Sequence, residues 1–168
     1  ERAEKIELEN SASYVHRIEA HASLGQHDQA EVMFYLAQQI DPKSVDALMA
    51  MADSLLDRSL HDKAVWCLRE AAKLDPEMPG LQARLAGVYA ATGRQERARQ
   101  LYLRELRRDP GDIETLLDLG ALLVQMNRFV EAGEKLRRVL EIEPDNTDAH
   151  FDLGDLAERL GHRDEAVT

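Results

Sequence analysis

The feature that most constrains the fold of this chain is a repeat with a period of 34 residues. Proline marks the period at Pro42, Pro76, Pro110 and Pro144. Alanine keeps it at Ala30, Ala64, Ala98, Ala132 and Ala166, and large apolar residues keep it at Phe34, Leu68, Tyr102 and Leu136. Because these series stay in phase over most of the chain, we expect each period to be one unit that stacks on its neighbours.

Each period reads as two helices joined by a turn. In residues 113–144, Leu116, Leu119 and Leu123 recur at helical spacing, and the turn Asn-Arg-Phe separates them from a second amphipathic stretch with Leu136 on its apolar side. Proline then ends the second helix, because its ring disfavours helical geometry in the preceding residue and it has no N–H to donate. Each Asp-Pro or Glu-Pro step therefore predicts a helix end.

The composition favours packed helices and an acidic surface. Charged residues make up 32% of the 168 residues and aromatic residues only 5%, whereas sheets favour aromatic and β-branched side chains. The net charge of −11 argues against nonspecific binding to nucleic acid or anionic lipid and favours basic partners. No apolar run approaches the about 20 residues that span a bilayer, so membrane insertion is not expected.

These residues resemble the tetratricopeptide repeat family over nearly the whole chain. The family has small residues where the two helices of a hairpin cross closely, since a bulky side chain there would cost about 1–3 kcal/mol by overpacking. The matching positions are the alanine series above together with Ala52, Ala86, Gly120 and Gly154. The resemblance implies an all-α fold, a right-handed superhelical solenoid of antiparallel helix hairpins.

The resemblance also divides the chain. We expect the tail of a preceding helix at residues 1–10, repeats at 11–44, 45–78, 79–112 and 113–146, and a partial repeat at 147–168. Arg17 and Ile18 stand where the family has an apolar and then a small residue, so the first helix is expected to pack unusually. Gly25, Gly93 and Gly161 are expected in turns. Neither end looks capped, which predicts that the parent sequence continues.

No pattern in the sequence predicts a catalytic, metal or cofactor site. The six histidines form no pair of the metalloprotease kind, and there is no Gly-rich phosphate loop. Cys67 is interpreted as a partly buried thiol and not a nucleophile, because no histidine is positioned by the sequence to activate it. We therefore expect a chain that is not an enzyme and carries no cofactor.

In the family, the first helix of each repeat lines a concave groove that usually holds a peptide or helix of a partner. The resemblance maps this groove onto Met49, Asp53, Leu56, Asp57, Ala83, Arg84, Gly87, Leu117, Asp118, Ala121, Val124, Phe151, Asp152 and Asp155. One subset of the family grips a C-terminal carboxylate with Lys, Asn and Arg at these positions. That set is missing here, so binding of such a tail is not expected.

The predicted groove is acidic, and its middle is nearly bare of side chains. Clustered carboxylates favour a ligand of opposite charge, so one hypothesis is a partner segment with Lys or Arg. The alternative is that these are solvated carboxylates on an acidic protein. Gly87 costs about 1 kcal/mol relative to alanine inside a helix. It favours a pocket for an apolar anchor, and the alternative is close packing between hairpins.

The second helices offer a competing surface. Val32 and Trp66 occupy one outward position, 34 residues apart, and exposed tryptophan is a common interface anchor. The segment Arg94–Arg108 is a basic helix in an acidic chain. It could contact an acidic partner or the acidic end of another copy, and the alternative is a solvated face.

The sequence thus predicts a non-catalytic protein–protein interaction scaffold that binds a partner peptide or helix, with basic and apolar residues, in an acidic concave groove. Two alternatives stay open. One is a homo-oligomerising assembly module joined through its ends or through the Val32–Trp66 surface, and the other is a regulatory or recruitment arm of a larger enzyme. Nucleic acid is not expected as a partner. The compartment is open, with the cytoplasm slightly favoured over a periplasm.

Overall fold

A computed structural model describes the backbone of residues 11–165 and the side chains of residues 11–161. This part of the chain forms nine helices and no strand. The helices are α1 (Ser11–Ser23), α2 (His27–Ile40), α3 (Val45–Asp57), α4 (His61–Leu74), α5 (Leu81–Ala91), α6 (Gln95–Arg108), α7 (Ile113–Gln125), α8 (Phe129–Ile142) and α9 (Thr147–Glu165). The predicted all-α repeat of paired helices is confirmed. The helix tail predicted at residues 1–10 lies outside the described residues.

The chain divides after Leu81 into two compact units, and the first contains α1 to α4. In this unit α1 packs against α2 and α3, α2 also contacts α3, and α3 packs against α4. Ala30, Ala52 and Ala64 are fully buried, as close helix packing requires. Ile18 is fully buried as well. The first helix thus places a β-branched residue in the core where the family pattern has a small one.

The second unit contains α5 to α9, apart from the first residue of α5. Here α6 contacts α7, α7 packs against α8 and α9, and α8 packs against α9. Leu119, Leu136 and Val139 are fully buried. A Cβ built at Gly120 would lie 3.1 Å from Leu136 Cδ2, which is shorter than an ordinary carbon–carbon contact. A glycine at this residue therefore permits the close crossing of α7 and α8.

The turn inside each helix pair repeats one backbone geometry. It is formed by residues at intervals of 34 that all have positive φ: Gly25 (70°), Ser59 (57°), Gly93 (76°) and Asn127 (57°). In the second pair, the Ser59 N–H donates to the Leu56 carbonyl at 2.8 Å and the Leu60 N–H donates to the Leu55 carbonyl at 2.9 Å. This is the Schellman arrangement, which satisfies carbonyls that the end of a helix leaves without partners.

The Asp-Pro and Glu-Pro steps end the second helices, as the sequence predicts. The C-cap residues are Asp41, Asp75, Asp109 and Glu143, and all four have extended backbone. The three aspartate carboxylates each accept a backbone N–H from the residue two positions later. This local hydrogen bond fixes the direction in which the chain leaves the helix after its proline.

The last helix differs from the prediction at Gly161. A turn was expected there, but α9 continues through this residue to Glu165. Glycine permits a left-handed turn without requiring one, and the backbone of Gly161 does not adopt positive φ. Within residues 11–165, no helix is both long enough and apolar enough to cross a membrane.

Candidate functional site

In the first unit, the predicted groove residues lie along α3. Asp53 and Asp57 are exposed one helical turn apart, and Leu56 is half-buried beside them. Met49 is only 8% exposed and belongs to the buried core. Among the predicted groove residues of α3, the accessible ones are therefore two carboxylates and the edge of one leucine.

In the second unit, α5 carries the part of the predicted groove with the smallest side chains. Arg84 is exposed, whereas Ala83 and Gly87 are half-buried. A Cβ built at Gly87 would lie 3.5 Å from the hydroxyl oxygen of Tyr102. The space that glycine leaves at this residue is thus partly filled by a tyrosine of α6.

Tyr102 also connects α6 to the acidic face of α7. Its side chain is 3% exposed, and its hydroxyl donates a hydrogen bond to Asp118 Oδ2 at 3.2 Å. Burial raises the pKa of Tyr102 above its usual range, and the Asp118 carboxylate raises it further. Burial also raises the pKa of Asp118, although the hydrogen bond from Tyr102 opposes that shift. The repeat pattern did not predict this pair, because the two residues belong to different predicted repeats.

The rest of the groove face on α7 is largely apolar. Leu117 and Val124 are half-buried, and Ala121 is exposed. Asp118 lies on the same helix as these side chains, and Glu114, one turn before it, is also exposed. A ligand at this face would therefore meet two carboxylates beside apolar side chains.

Helix α9, the first helix of the fifth repeat, adds an exposed aromatic side chain to the predicted groove. Phe151 is 77% exposed, and Asp152 and Asp155 are half-buried beside it. Burial raises the pKa of Asp152, and repulsion from Asp148 and Asp155 adds to the shift. Arg159 donates to Asp155 Oδ2 at 2.7 Å. Helix α7 contacts α9, and both helices carry carboxylates of the predicted groove in this unit.

On the second helices of the first unit, Val32 and Trp66 are 53% and 57% exposed. Trp66 borders a pocket of about 170 Å³, and Val32 does not. Two polar side chains, Glu31 and Lys63, line part of the pocket. The rest of its lining comes from side chains of α2, α3 and α4: Phe34, Tyr35, Met51, Leu55, Trp66 and Cys67. The repeat pattern identified Trp66 but not its neighbours, since these come from three helices.

The side chains described for residues 11–161 hold no cluster of three or more His, Cys, Asp or Glu residues that could bind a metal ion. Cys67 is 3% exposed, and burial raises its pKa to about 11. The thiol is therefore protonated at neutral pH, which is unfavourable for a nucleophile.

Comparison with known families decides what kind of protein this is. Two family models, both described as tetratricopeptide repeat, match residues 49–113 and residues 123–168. The chain belongs to the tetratricopeptide repeat family. The resemblance read from the sequence is confirmed.

Solved tetratricopeptide repeat structures share this fold. A tetratricopeptide repeat protein from Parabacteroides merdae superposes with a TM-score of 0.82 at 18% identity, covering 92% of this chain and 62% of the other. MamA gives 0.79 at 21% identity, with 94% and 86% covered. YrrB, described as a tetratricopeptide repeat protein with an unusual peptide-binding site, gives 0.74 at 18% identity, with 94% and 81% covered. At such low identities these likenesses show the fold alone.

Relatives found by sequence are much longer proteins. Protein CTR9 homolog of Arabidopsis thaliana is 23% identical over 147 residues, which is 85% of this chain and 14% of that protein. Human Protein O-mannosyl-transferase TMTC3 is 27% identical over 126 residues, which is 74% of this chain and 13% of that protein. Membership of the tetratricopeptide repeat family makes the chain a protein-interaction scaffold. Proteins of this fold are typically not catalytic.

Proposed function

We propose that this tetratricopeptide repeat protein is a non-catalytic scaffold that binds a partner peptide or helix along the first helices of its repeats. The partner segment carries Lys or Arg together with large apolar side chains. The observation that carries the proposal is that each unit has carboxylates on its first helices: Asp53 and Asp57 on α3 of the first unit, and Asp118, Asp152 and Asp155 on α7 and α9 of the second.

Electrostatics favour a basic segment at these helices. The pKa values of Asp118 and Asp152 are raised, with burial as the main cause and neighbouring carboxylates adding to it. A cationic side chain placed beside these groups would relieve that repulsion and stabilise their charged forms. Binding is therefore expected to release protons at pH values where these carboxyl groups are partly protonated, and to weaken as salt rises.

Apolar contact is available beside the same carboxylates. Phe151 on α9 is 77% exposed, and Leu117 and Val124 are half-buried on α7, the helix that carries Asp118. An exposed phenylalanine next to acidic groups suits a segment in which basic and apolar residues alternate at helical or extended spacing. The description of YrrB as a peptide-binding protein of this fold supports a peptide as the ligand class.

The test compares affinity capture by the wild type with capture by an Asp53→Lys, Asp118→Lys variant, which reverses one charge in each unit. The matched control is Asp62→Lys, Glu134→Lys, which makes the same change in net charge on the second helices. We expect the groove variant to bind the captured partner about ten-fold more weakly, while the control binds as the wild type does. Circular dichroism checks that all three proteins are folded.

Two results would contradict the proposal. One is a groove variant that captures the same proteins with the same affinity as the wild type. The other is an affinity that does not decrease as the salt concentration rises.

A further inference from the structure

The second unit has a small apolar pocket between its second helices, on residues outside the predicted groove. Leu103 and Leu106 of α6, Pro110 after that helix, and Leu116 of α7 form its apolar lining, and its volume is about 280 Å³. Leu106 packs against the buried cluster that contains Leu116 and Val139. The floor of the pocket is thus continuous with the folded core of this unit and is held in place by it.

Three basic side chains complete the pocket: Arg107 of α6, and Lys135 and Arg138 of α8. Arg138 donates to Glu141 at 2.7 Å. Within the described part of the chain, Arg107 and Lys135 have no carboxylate partner. The pocket therefore keeps an excess of positive charge in a protein whose net charge is −11.

The size and lining of the pocket restrict what it can hold. Its volume is just below the range of about 300–1,000 Å³ typical of small-molecule sites, so a single large apolar side chain is a better fit than a whole metabolite. A guanidinium and an ammonium group beside such a side chain select carboxylates, since arginine pairs with them through two parallel hydrogen bonds. Nucleic acid is disfavoured, because the lining has no aromatic ring for a base to stack on.

We propose that this pocket is a second binding site, and that it takes an acidic peptide segment of a partner protein. One leucine, phenylalanine or tryptophan of that segment occupies the apolar floor, and neighbouring Asp or Glu side chains pair with Arg107 and Lys135. The ligand has the opposite charge to the one proposed for the first helices, so the two sites recognise different segments. The proposal does not depend on the acidic groove.

The test uses the full chain and a defined probe, a short fluorescein-labelled peptide with one central leucine between glutamates. Its binding is measured by fluorescence anisotropy to the wild type and to an Arg107→Glu, Lys135→Glu variant. The matched control is Arg104→Glu, Arg137→Glu, which reverses exposed charges on the same two helices but away from the pocket. We expect the dissociation constant to rise about ten-fold or more for the pocket variant and less than about two-fold for the control.

Two altered probes separate the apolar and the charged contributions. Replacing the central leucine by alanine, or the glutamates by glutamine, is expected to weaken binding to the wild type in each case. Chemical-shift changes on adding the leucine probe are expected at Leu103, Leu106 and Leu116. These expectations distinguish this site from a general attraction of acidic peptides to basic helices.

Several outcomes would overturn the proposal. Equal losses in the pocket variant and the control would mean that only overall charge matters, and an alanine probe that binds as well as the leucine probe would remove the role of the floor. Shift changes confined to other residues would place the probe elsewhere. Sedimentation equilibrium adds a further outcome: a dimer that the pocket variant alone abolishes would make a second copy of this chain the occupant instead of a partner peptide.

Discussion

Glycines at equivalent positions of the repeat meet different surroundings. At Gly120 a Cβ would lie 3.1 Å from Leu136 Cδ2 and 3.3 Å from its Cγ, whereas at Gly154, 34 residues later, nothing lies within 4 Å. Leu136 is fully buried and has little room to move. Tight packing therefore restricts position 120 to a very small residue, whereas position 154 has room for a larger side chain.

This difference predicts opposite effects of alanine at the two positions. Gly120→Ala is expected to destabilise the protein by about 1 kcal/mol, because overpacking outweighs the gain in helix propensity. Gly154→Ala is expected to stabilise it by up to about 1 kcal/mol, since only the propensity changes. Urea unfolding of both variants and the wild type measures the two effects, and a stabilising Gly120→Ala would mean that α7 and α8 can separate at little cost.

At Gly87 a neighbouring residue restricts the space beside the glycine. The sequence left open whether this glycine forms a ligand pocket or serves close packing. The hydroxyl of Tyr102 lies where a larger side chain at Gly87 would extend, and the equivalent residues to Tyr102 in other repeats, Leu68 and Leu136, have no hydroxyl. Tyr102 thus limits how large a side chain at this residue could be, but alanine would make only an ordinary contact with it. The pocket stays a prediction.

At the scale of the elements, the four hairpin turns use one backbone geometry with three different degrees of strain. Gly25 and Gly93 adopt positive φ without cost, Asn127 is tolerated there, and Ser59 is the least suited of the four at φ 57°. The hydrogen bonds of the turn are the same in all four cases. The surrounding helices therefore impose the left-handed residue even where the side chain disfavours it.

Replacing Ser59 by glycine is expected to relieve that strain. Ser59→Gly should stabilise the protein by about 1 kcal/mol, less the entropy that glycine adds to the unfolded chain. Asn127→Gly is the internal comparison and should gain less, because asparagine already tolerates left-handed backbone. Thermal unfolding of the two variants measures the difference, and a larger gain at Asn127 would contradict this account of the turn.

The hydrogen bond between Tyr102 and Asp118 joins two helices that are separate in the repeat pattern. The pKa of Tyr102 is raised, with burial as the main cause. The folded state thus keeps the phenolic proton more tightly than the unfolded chain does. Its contribution to stability is fully present below the unfolded pKa of about 10 and is lost as pH rises above that value.

The variant Tyr102→Phe is expected to separate the contribution of the hydrogen bond from the loss of stability at high pH. Near neutral pH it should cost about 0.5–1.5 kcal/mol, because the hydrogen bond to Asp118 is lost. Above about pH 10 the difference from the wild type should shrink and then reverse, since phenylalanine has no proton to lose. Urea unfolding across this pH range is the measurement, with the exposed Tyr35→Phe as the control. A constant difference between wild type and Tyr102→Phe at all pH values would contradict the assignment.

At the scale of the whole molecule, the two proposed sites carry opposite charge. The chain has 32 acidic and 21 basic residues. Carboxylates are prominent on the first helices α3, α7 and α9, whereas Arg107, Lys135 and Arg138 gather on the second helices α6 and α8. Two kinds of partner segment could therefore be held by one scaffold without competing for the same residues.

The excess of negative charge predicts how stability responds to salt. Self-repulsion is screened as ionic strength rises, so the unfolding temperature at neutral pH is expected to increase by about 2–4 °C between low and physiological salt. The control is the same series near the isoelectric point of about 5.0, where the repulsion is small and little change is expected. An unfolding temperature that decreases with salt at neutral pH would show that surface ion pairs outweigh the repulsion.

Much of this architecture could be predicted from the sequence because local residues determine it. The four prolines at the 34-residue period end the helices that precede them, and small residues at the same period indicate helices that cross closely. The pairs of helices, their order and the family followed from these signals. The prediction of a turn at Gly161 was wrong, because glycine permits a turn without requiring one.

The candidate sites could be predicted from the sequence only in part, and the tertiary structure was needed for the rest. The sequence alone determined the helical repeat, its family and the acidic character of the predicted groove. Only the tertiary structure brought Tyr102 to Asp118, placed Met49 in the core, and set Leu103 and Leu106 beside the basic side chains of α8. The physical reason is that the repeat pattern specifies where helices begin and end, whereas the neighbours of a side chain depend on how each helix is rotated and packed against the others.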